Sequence, residues 1–334
     1  MRTEFRIGLI AVCLSLCTCL FAQEETEEQA PEGDVWTAAA EGDIETLKAL
    51  VEAGADLNSA RSTTETELPL MLAVRERQSE TIKWLAENGA DVNKRDINGN
   101  TAIISAAFFG FPKVFQLLVD SGADMALQNY EGQSAMEMLE VAWEITNYIA
   151  NDMLEIGLEQ EAVEAGRMQI RRGLAKTNVS IAVEIGDAEL VMEHIKKGVD
   201  VNTADAGGTS LLMAATVSNN VDIAKFLVDA GAELDNRHPA TGATALLAAA
   251  FLGLDETAKV LIDAGADPTI ADYQGSTTMD MLTLSYGETD YVASLIGIAL
   301  KSEEELTASR EAIGKMLESV EGSDEAEESG ESEE

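Results

Sequence analysis

The chain has 334 residues and carries 61 Asp and Glu against 22 Lys and Arg, which gives a formal net charge of −39 at pH 7. A charge of this size and sign is repelled by nucleic acid and by anionic membrane surfaces, so the composition argues against both as partners. It leaves two explanations open, because a strongly acidic chain stays soluble and also meets a basic partner protein quickly.

Residues 1–22 have the layout of a signal peptide. Arg2 and Arg6 precede an apolar run that starts at Ile7, and Ala22 comes just before polar sequence. The run is too short for a comfortable membrane span. All three cysteines lie inside it, so the mature chain has no disulfide framework and no sulfur-based metal site. We therefore predict an exported protein, periplasmic or secreted, with no membrane span after signal removal. A minor alternative is a lipoprotein anchor on Cys17 or Cys19.

An acidic linker, residues 23–32, leads into a repeated sequence. The stretch from Asn98 to Asn129 recurs as Thr241 to Asp272, at an offset of 143 residues. A self-similarity of this kind decides the fold before any local prediction of secondary structure. The glycines coincide in the two copies, as do Thr101 with Thr244 and Phe108 with Phe251.

Each repeat predicts a turn, a short helix, a tight turn, a second helix and a glycine stop. Thr101 stands where a helix begins, and its hydroxyl is expected to accept a hydrogen bond from the first turn. Gly110 ends the short apolar helix, and Gly122 falls where a helix requires a left-handed residue. A helix pair this short cannot bury its own apolar stripe, so neighbouring repeats must stack.

This pattern resembles the ankyrin repeat. The resemblance implies an all-α, helix–turn–helix solenoid whose concave surface binds other proteins. The family's Thr-Pro-Leu-His start is absent here, since Thr101 is followed by Ala-Ile-Ile. The residues that carry the resemblance are Gly99, Thr101, Ala106, Ala107, Gly110, Leu117, Leu118, Gly122, Ala123 and Asp124.

About eight repeats are expected, arranged as two duplicated four-repeat blocks at 33–174 and 175–317. Apolar spacing continues beyond the fourth repeat towards Leu174, and the same residues recur after the eighth, so each block is predicted to close with a longer helix. The remaining residues, 318–334, are acidic and nearly devoid of apolar side chains. Such a tail is predicted to be disordered.

The resemblance also places candidate partner-binding residues. The two positions after the Ala-Ala pair face the groove in ankyrin repeats. Here that would place large apolar side chains on an exposed surface. The alternative is that these side chains pack against the neighbouring long helix. Exposed aromatic groups commonly mark binding sites. The groove candidates are Phe108, Phe109, Phe251 and Leu252, and candidates at the turn tips are Arg95, Asn98, Tyr130, Arg237 and Tyr273.

No catalytic or cofactor constellation is evident, so no enzymatic activity, metal or cofactor is predicted. The two histidines, His194 and His238, lack partners at useful spacing. A basic cluster between Arg167 and Lys176 is expected to pair with nearby acids or to lie in solvent. The sequence therefore favours a protein-binding module that uses the concave groove and turn tips. The alternatives are a self-associating scaffold, for which the duplication is suggestive, and an acidic protein that buffers cations.

Overall fold

A computed structural model of the chain describes residues 34–61, 67–154, 156–205, 207–295 and 298–330. The predicted signal peptide and acidic linker lie outside the described residues. The described chain forms two compact units, with the sequence boundary between Gly173 and Leu174.

Unit 1 consists of short helices in pairs, followed by one long helix. A π-helical segment, Tyr148–Met153, follows α8. The helices are α1 Val35–Glu41, α2 Ile44–Glu52, α3 Pro69–Arg75, α4 Ser79–Glu87, α5 Ala102–Phe108, α6 Pro112–Asp120, α7 Ala135–Met138, α8 Trp143–Asn147 and α9 Gln160–Ala175.

Unit 2 repeats this order, so that each helix of unit 1 has its counterpart nine helices later in the described chain. The helices are α10 Val179–Glu184, α11 Ala188–Lys196, α12 Leu211–Val217, α13 Val221–Asp229, α14 Ala245–Leu252, α15 Asp255–Asp263, α16 Thr278–Leu282, α17 Tyr286–Leu295 and α18 Glu303–Gly330.

Helix pairs stack in register within each unit. The first helices α1, α3, α5 and α7 pack side by side, and second helices such as α13 and α15 do the same. The all-helical repeat fold predicted from the sequence is thereby confirmed.

The largest fully buried side chains are Leu47, Ile82, Leu85, Ile103, Ile104, Leu118, Ile149, Leu211, Leu212, Leu227, Leu246 and Leu261. Each contributes about 1.5–3 kcal/mol through burial of its side chain.

Asparagine side chains join consecutive repeats at the turns. Asn58 donates from Nδ2 to the carbonyl of Gly89 at 2.9 Å, and its Oδ1 accepts from the N–H of Asp91 at 2.7 Å. Asn93 makes the same two contacts with Gly122 and Asp124. These bonds satisfy backbone groups that the turns leave free and so fix the register between repeats.

Helix starts differ between the two copies. Thr244 accepts from the N–H of Leu247 at 3.3 Å, as a capping residue should. The capping predicted for Thr101 is wrong, because its buried Oγ1 has no hydrogen-bond partner in the described structure. Equivalent sequence positions therefore do not guarantee equivalent caps.

The fourth repeat of each unit carries an insertion between its helices. In unit 2, α18 packs against α15 and α16, the neighbours expected for the second helix of that repeat. The short helix α17 is therefore inserted before it. In unit 1 the chain does not run as one helix towards Leu174, since Gly157 takes a left-handed φ of +71° in the break before α9.

Two glycines let the long helices approach closely. A Cβ on Gly110 would lie 2.5 Å from the carbonyl oxygen of Val163 in α9. A Cβ on Gly253 would lie 2.5 Å from Cδ1 of Leu306 in α18. Both glycines also adopt a left-handed φ, which other residues adopt only with strain.

The last helix continues to Gly330, whereas the sequence predicts a disordered tail from residue 318. Glu and Ala are good helix formers and allow the helix of the preceding turns to propagate. Residues 331–334 lie outside the described residues.

Candidate functional site

The turns between repeats are here called finger turns, and those at 96–100 and 129–133 are each built around one side chain. In the turn at 96–100, Oδ1 of Asp96 accepts from the N–H groups of Asn98 and Asn100, both at 2.8 Å. Burial raises the pKa of Asp96, although these N–H donors act in the opposite direction. Asn129 holds the next finger turn by accepting from Glu131 and Gln133. The finger turns are therefore ordered platforms for the side chains that they carry.

Two exposed tyrosines occupy equivalent finger turns of the two units. Tyr130 is 70% exposed and Tyr273 is 61% exposed. The N–H of Tyr130 donates to the carbonyl of Asn98 at 3.1 Å, and that of Tyr273 donates to Thr241 at 2.9 Å. Each ring lies so close to a glycine of the preceding finger turn that a Cβ there would collide with it. The rings are thus both solvent-accessible and supported by backbone.

Arg237 is brought together with Tyr273. Its guanidinium carbon lies 4.9 Å from the centre of the tyrosine ring, within cation–π range. The side chain also donates to the carbonyls of Ala271 at 2.6 Å and Gly242 at 3.1 Å. In unit 1, Asn98 contacts Tyr130 through its backbone, and Arg95 is exposed just before the same finger turn.

The groove candidates are not on the surface. Phe108, Phe109 and Leu252 are buried, and Phe251 is partly buried against the core of unit 2. The prediction that they are exposed is therefore wrong. In unit 1 the cause is α9, whose Arg167 lies 5.9 Å from the centre of the Phe108 ring.

A buried arginine on each long helix binds the ends of the neighbouring helices. Arg167 donates to the carbonyls of Val141 and Phe108 and to Oγ1 of Thr146. Burial lowers the pKa of Arg167 to about 10. The two carbonyl acceptors lie near helix C-termini, where a cation is favoured.

Arg310 makes the same contacts in unit 2. It donates to the carbonyls of Phe251 at 2.6 Å, Leu284 at 2.7 Å and Ala250 at 3.3 Å, and to Oγ1 of Thr289 at 2.9 Å. Burial lowers its pKa as well. We call these two constellations the arginine hubs. Their only signal in the sequence was the repetition of Arg167 as Arg310 and of Thr146 as Thr289.

The rest of the basic cluster behaves as predicted. Arg171 forms an ion pair with Glu140, and Arg172 and Lys176 are exposed. Arg167 is the exception, since it is buried among carbonyls and not paired with an acid.

A cleft adjoins each hub, between the long helix and the segment after the first helix of the fourth repeat. The unit 1 cleft has a volume of about 280 Å³ and the unit 2 cleft about 450 Å³. Equivalent residues line them, including Leu139, Trp143 and Arg167 in unit 1 and Leu282, Tyr286 and Arg310 in unit 2.

Both histidines have structural contacts. A ring nitrogen of His194, Nε2, lies 2.7 Å from the carbonyl of Ala175, and Nδ1 of His238 accepts from the N–H of Ala240 at 3.3 Å within a finger turn. Among the described residues, no group of three His, Cys, Asp or Glu side chains is placed to hold a metal ion. Within that same part of the chain, no helix is both long and apolar enough to cross a membrane.

A family model for ankyrin repeats in three copies matches residues 35–129 and 179–272, which is more than half of the chain. The chain belongs to the ankyrin repeat family. Ankyrin repeats generally mediate protein–protein interaction and are typically non-catalytic.

Relatives share the repeats over part of their length. This ankyrin repeat protein is 29% identical over 140 residues to ankyrin repeat and SAM domain-containing protein 6 of Danio rerio, covering 42% of this chain and 18% of the relative. It is 42% identical over 57 residues to potassium channel AKT1 of Oryza sativa subsp. indica, covering 17% and 6%. The chain thus spans less than a fifth of either relative.

Solved structures include other ankyrin repeat domains. That of Bcl-3 aligns with a TM-score of 0.40 and 21% identity, over 77% of this chain and 95% of Bcl-3. That of human ASB11 aligns with a TM-score of 0.35 and 21% identity, over 84% of this chain and 98% of ASB11.

Proposed function

We propose that this protein is a non-catalytic module that binds a partner protein through the finger turns of both units. The observation that carries the proposal is the pair of exposed, backbone-supported tyrosines, Tyr130 and Tyr273. Aromatic side chains dominate the energetics of protein interfaces. A ring already held in place loses little conformational entropy when a partner binds.

The neighbouring residues extend this surface. Arg237 adds a charged group beside Tyr273, and Arg95 and Asn98 add polar groups near Tyr130. Because Phe108 and Phe109 are buried, the proposal does not include them. The proposed binding residues are therefore those of the finger turns in each unit, and the apolar positions at the ends of the first helices serve the core.

The test is affinity capture with the full chain and with a Tyr130→Ser/Tyr273→Ser variant, followed by identification and purification of the retained protein. Tyr291→Ser is the matched control, since Tyr291 is 66% exposed and belongs to α17 and not to a finger turn. We expect the purified partner to bind the native chain and the control equally, and the double variant at least about tenfold more weakly. Equal binding to all three would refute the proposal.

The partner's charge and the compartment are part of the proposal. The net charge of −39 favours a basic partner, whose association rate would fall as salt rises. The layout of residues 1–22 supports export to the periplasm or secretion. Mass spectrometry of the protein from the extracytoplasmic fraction would show whether the chain then begins near Gln23. Sedimentation of the purified protein separates this function from self-association, which would give a dimer or larger species without a partner.

A further inference from the structure

The two clefts beside the arginine hubs differ in one respect. In unit 1, Arg171 on α9 and Glu140 after α7 line opposite walls of the cleft and form an ion pair across it. The Arg171 side chain is only 17% exposed, so most of it is buried against the cleft. In unit 2 the equivalent positions are Gly314 and Thr283, and no side chain from these positions can form such a pair.

The cleft that lacks this ion pair is the larger of the two. The unit 2 cleft is about 450 Å³, against about 280 Å³ in unit 1. A volume of 450 Å³ lies within the range of cavities that bind small groups. Apolar walls come from Leu282, Leu284 and Leu306, and the aromatic ring of Tyr286 lies among them.

We propose that the unit 2 cleft binds an arginine side chain presented by a partner polypeptide, in the place that Arg171 occupies in unit 1. The inference rests on the proposed protein-binding function and adds a second, chemically defined contact to it. The contact that Arg171 makes within unit 1 is thus the intramolecular counterpart of the contact proposed between unit 2 and a partner.

The charges of the cleft suit a cationic group. Glu311 and Glu318 are exposed on α18 and line the unit 2 cleft, so two carboxylates are available to a guanidinium. Arg310 also lines this cleft, but its donors are bonded to helix-end carbonyls. Lys315 adds a positive charge to the lining. In unit 1, the buried Arg167 stands at the position of Arg310 and does not prevent Arg171 from occupying the space.

The geometry favours arginine over lysine. A planar guanidinium can bind a carboxylate through two parallel hydrogen bonds and can stack on an aromatic face such as that of Tyr286. Lysine offers a compact charge that does neither equally well. A ligand differing only in this group therefore separates the proposed recognition from general attraction to an acidic protein.

The experiment fills the unit 2 cleft with the pair found in unit 1. The variant is Gly314→Arg/Thr283→Glu in the full chain. A Cβ on Gly314 meets only Cδ1 of Leu282, at 3.6 Å, and Gly314 has no left-handed φ. Arginine is also a better helix former than glycine, so this variant should fold. A second variant, Glu311→Gln/Glu318→Gln, removes the carboxylates without adding bulk.

The probe is an acetylated, amidated pentapeptide with a central arginine between alanines, titrated at moderate salt and followed by the backbone amide NMR signals of α18. The same peptide with lysine is the control ligand. We expect the native chain to bind the arginine peptide more tightly than the lysine peptide. Both variants should bind the arginine peptide roughly tenfold to a hundredfold more weakly.

Two results would overturn the inference. One is equal affinity for the two peptides, and the other is a filled variant that, with native-like NMR signals, binds as well as the native chain. Neither bears on the proposed function, which is decided by the finger-turn variants. The reverse also holds. If the finger-turn variants capture the partner as well as the native chain does, a preference for the arginine peptide would still show binding at the unit 2 cleft.

Discussion

Gly110→Ala tests how α9 is seated on unit 1. The φ of Gly110 is +67°, and an added Cβ would lie 2.5 Å from the carbonyl oxygen of Val163 and 3.1 Å from its Cα. The left-handed conformation costs an alanine about 1–2 kcal/mol. The collision is with helix backbone, which cannot turn aside as a side chain can, and overpacking of this kind costs about 1–3 kcal/mol more. We expect the free energy of unfolding of unit 1 to fall by about 2–5 kcal/mol.

Tryptophan fluorescence during urea unfolding measures this loss for one unit alone. All three tryptophans, Trp36, Trp84 and Trp143, lie in unit 1. The matched control is Gly122→Ala, because Gly122 has a φ of +88° but nothing within 4 Å of an added Cβ. The control should lose only the conformational cost of about 1–2 kcal/mol. If the two variants lose equal stability, α9 does not pack on Gly110 and the reasoning is refuted.

Three further changes test other features of the structure. Arg167→Met leaves the neutral acceptors of the unit 1 hub without a donor, so it should lower the fluorescence-detected stability by about 1–3 kcal/mol. Thr101→Val removes a buried hydroxyl that has no partner, so it should leave the free energy of unfolding equal or raise it by up to about 1 kcal/mol. Thr244→Val removes a helix cap and should lower the free energy of unfolding by about 1 kcal/mol. Unfolding followed by circular dichroism compares these two, since the second threonine lies in the unit without tryptophan. Asp96→Asn should raise stability at pH 7, because burial raises the pKa of Asp96 and its ionisation therefore costs stability.

The pH dependence of the effect of Asp96→Asn follows from the direction in which the pKa of Asp96 is shifted. The folded pKa of Asp96 exceeds the ordinary value of about 3.9, so the native chain loses stability as pH rises from that value through the raised pKa. The advantage of Asp96→Asn should disappear on acidification below about pH 3.9. An advantage that persists at low pH would contradict this account.

For the Arg167→Met variant, Arg172→Met is the control, since Arg172 is exposed and its loss should change stability little.

The repeat architecture could be predicted because it depends on short-range patterns. Gly122 marks the end of α6 in the sequence, and the structure gives it a left-handed φ of +88° next to that helix. The repetition at 143 residues likewise predicted a second unit with the same helix order. These signals depend on propensity and spacing, which a sequence displays directly.

The exposure of side chains near the long helices could not be predicted in this way. Phe108 stands at a position that faces the groove in ankyrin repeats, but here Arg167, 59 residues later, donates to its carbonyl and helps to bury it. The insertion before α9 decides where that arginine lies. No local pattern encodes such a contact, although the recurrence of Arg167 as Arg310 was a usable hint.

The arginine hub has a consequence for how such a chain can change in length. Each hub ties together the third repeat, the fourth repeat and the long helix, as in the bonds from Arg167 to Phe108 and Val141. Removing or adding a single repeat between these segments would separate the donor from its acceptors. The hub's bonds therefore survive only if these parts are gained or lost together, as one cassette, whereas a change in the repeats ahead of them leaves the donor beside its acceptors. The second cassette, 143 residues later, indicates that the closing helix was already in place when the block was copied.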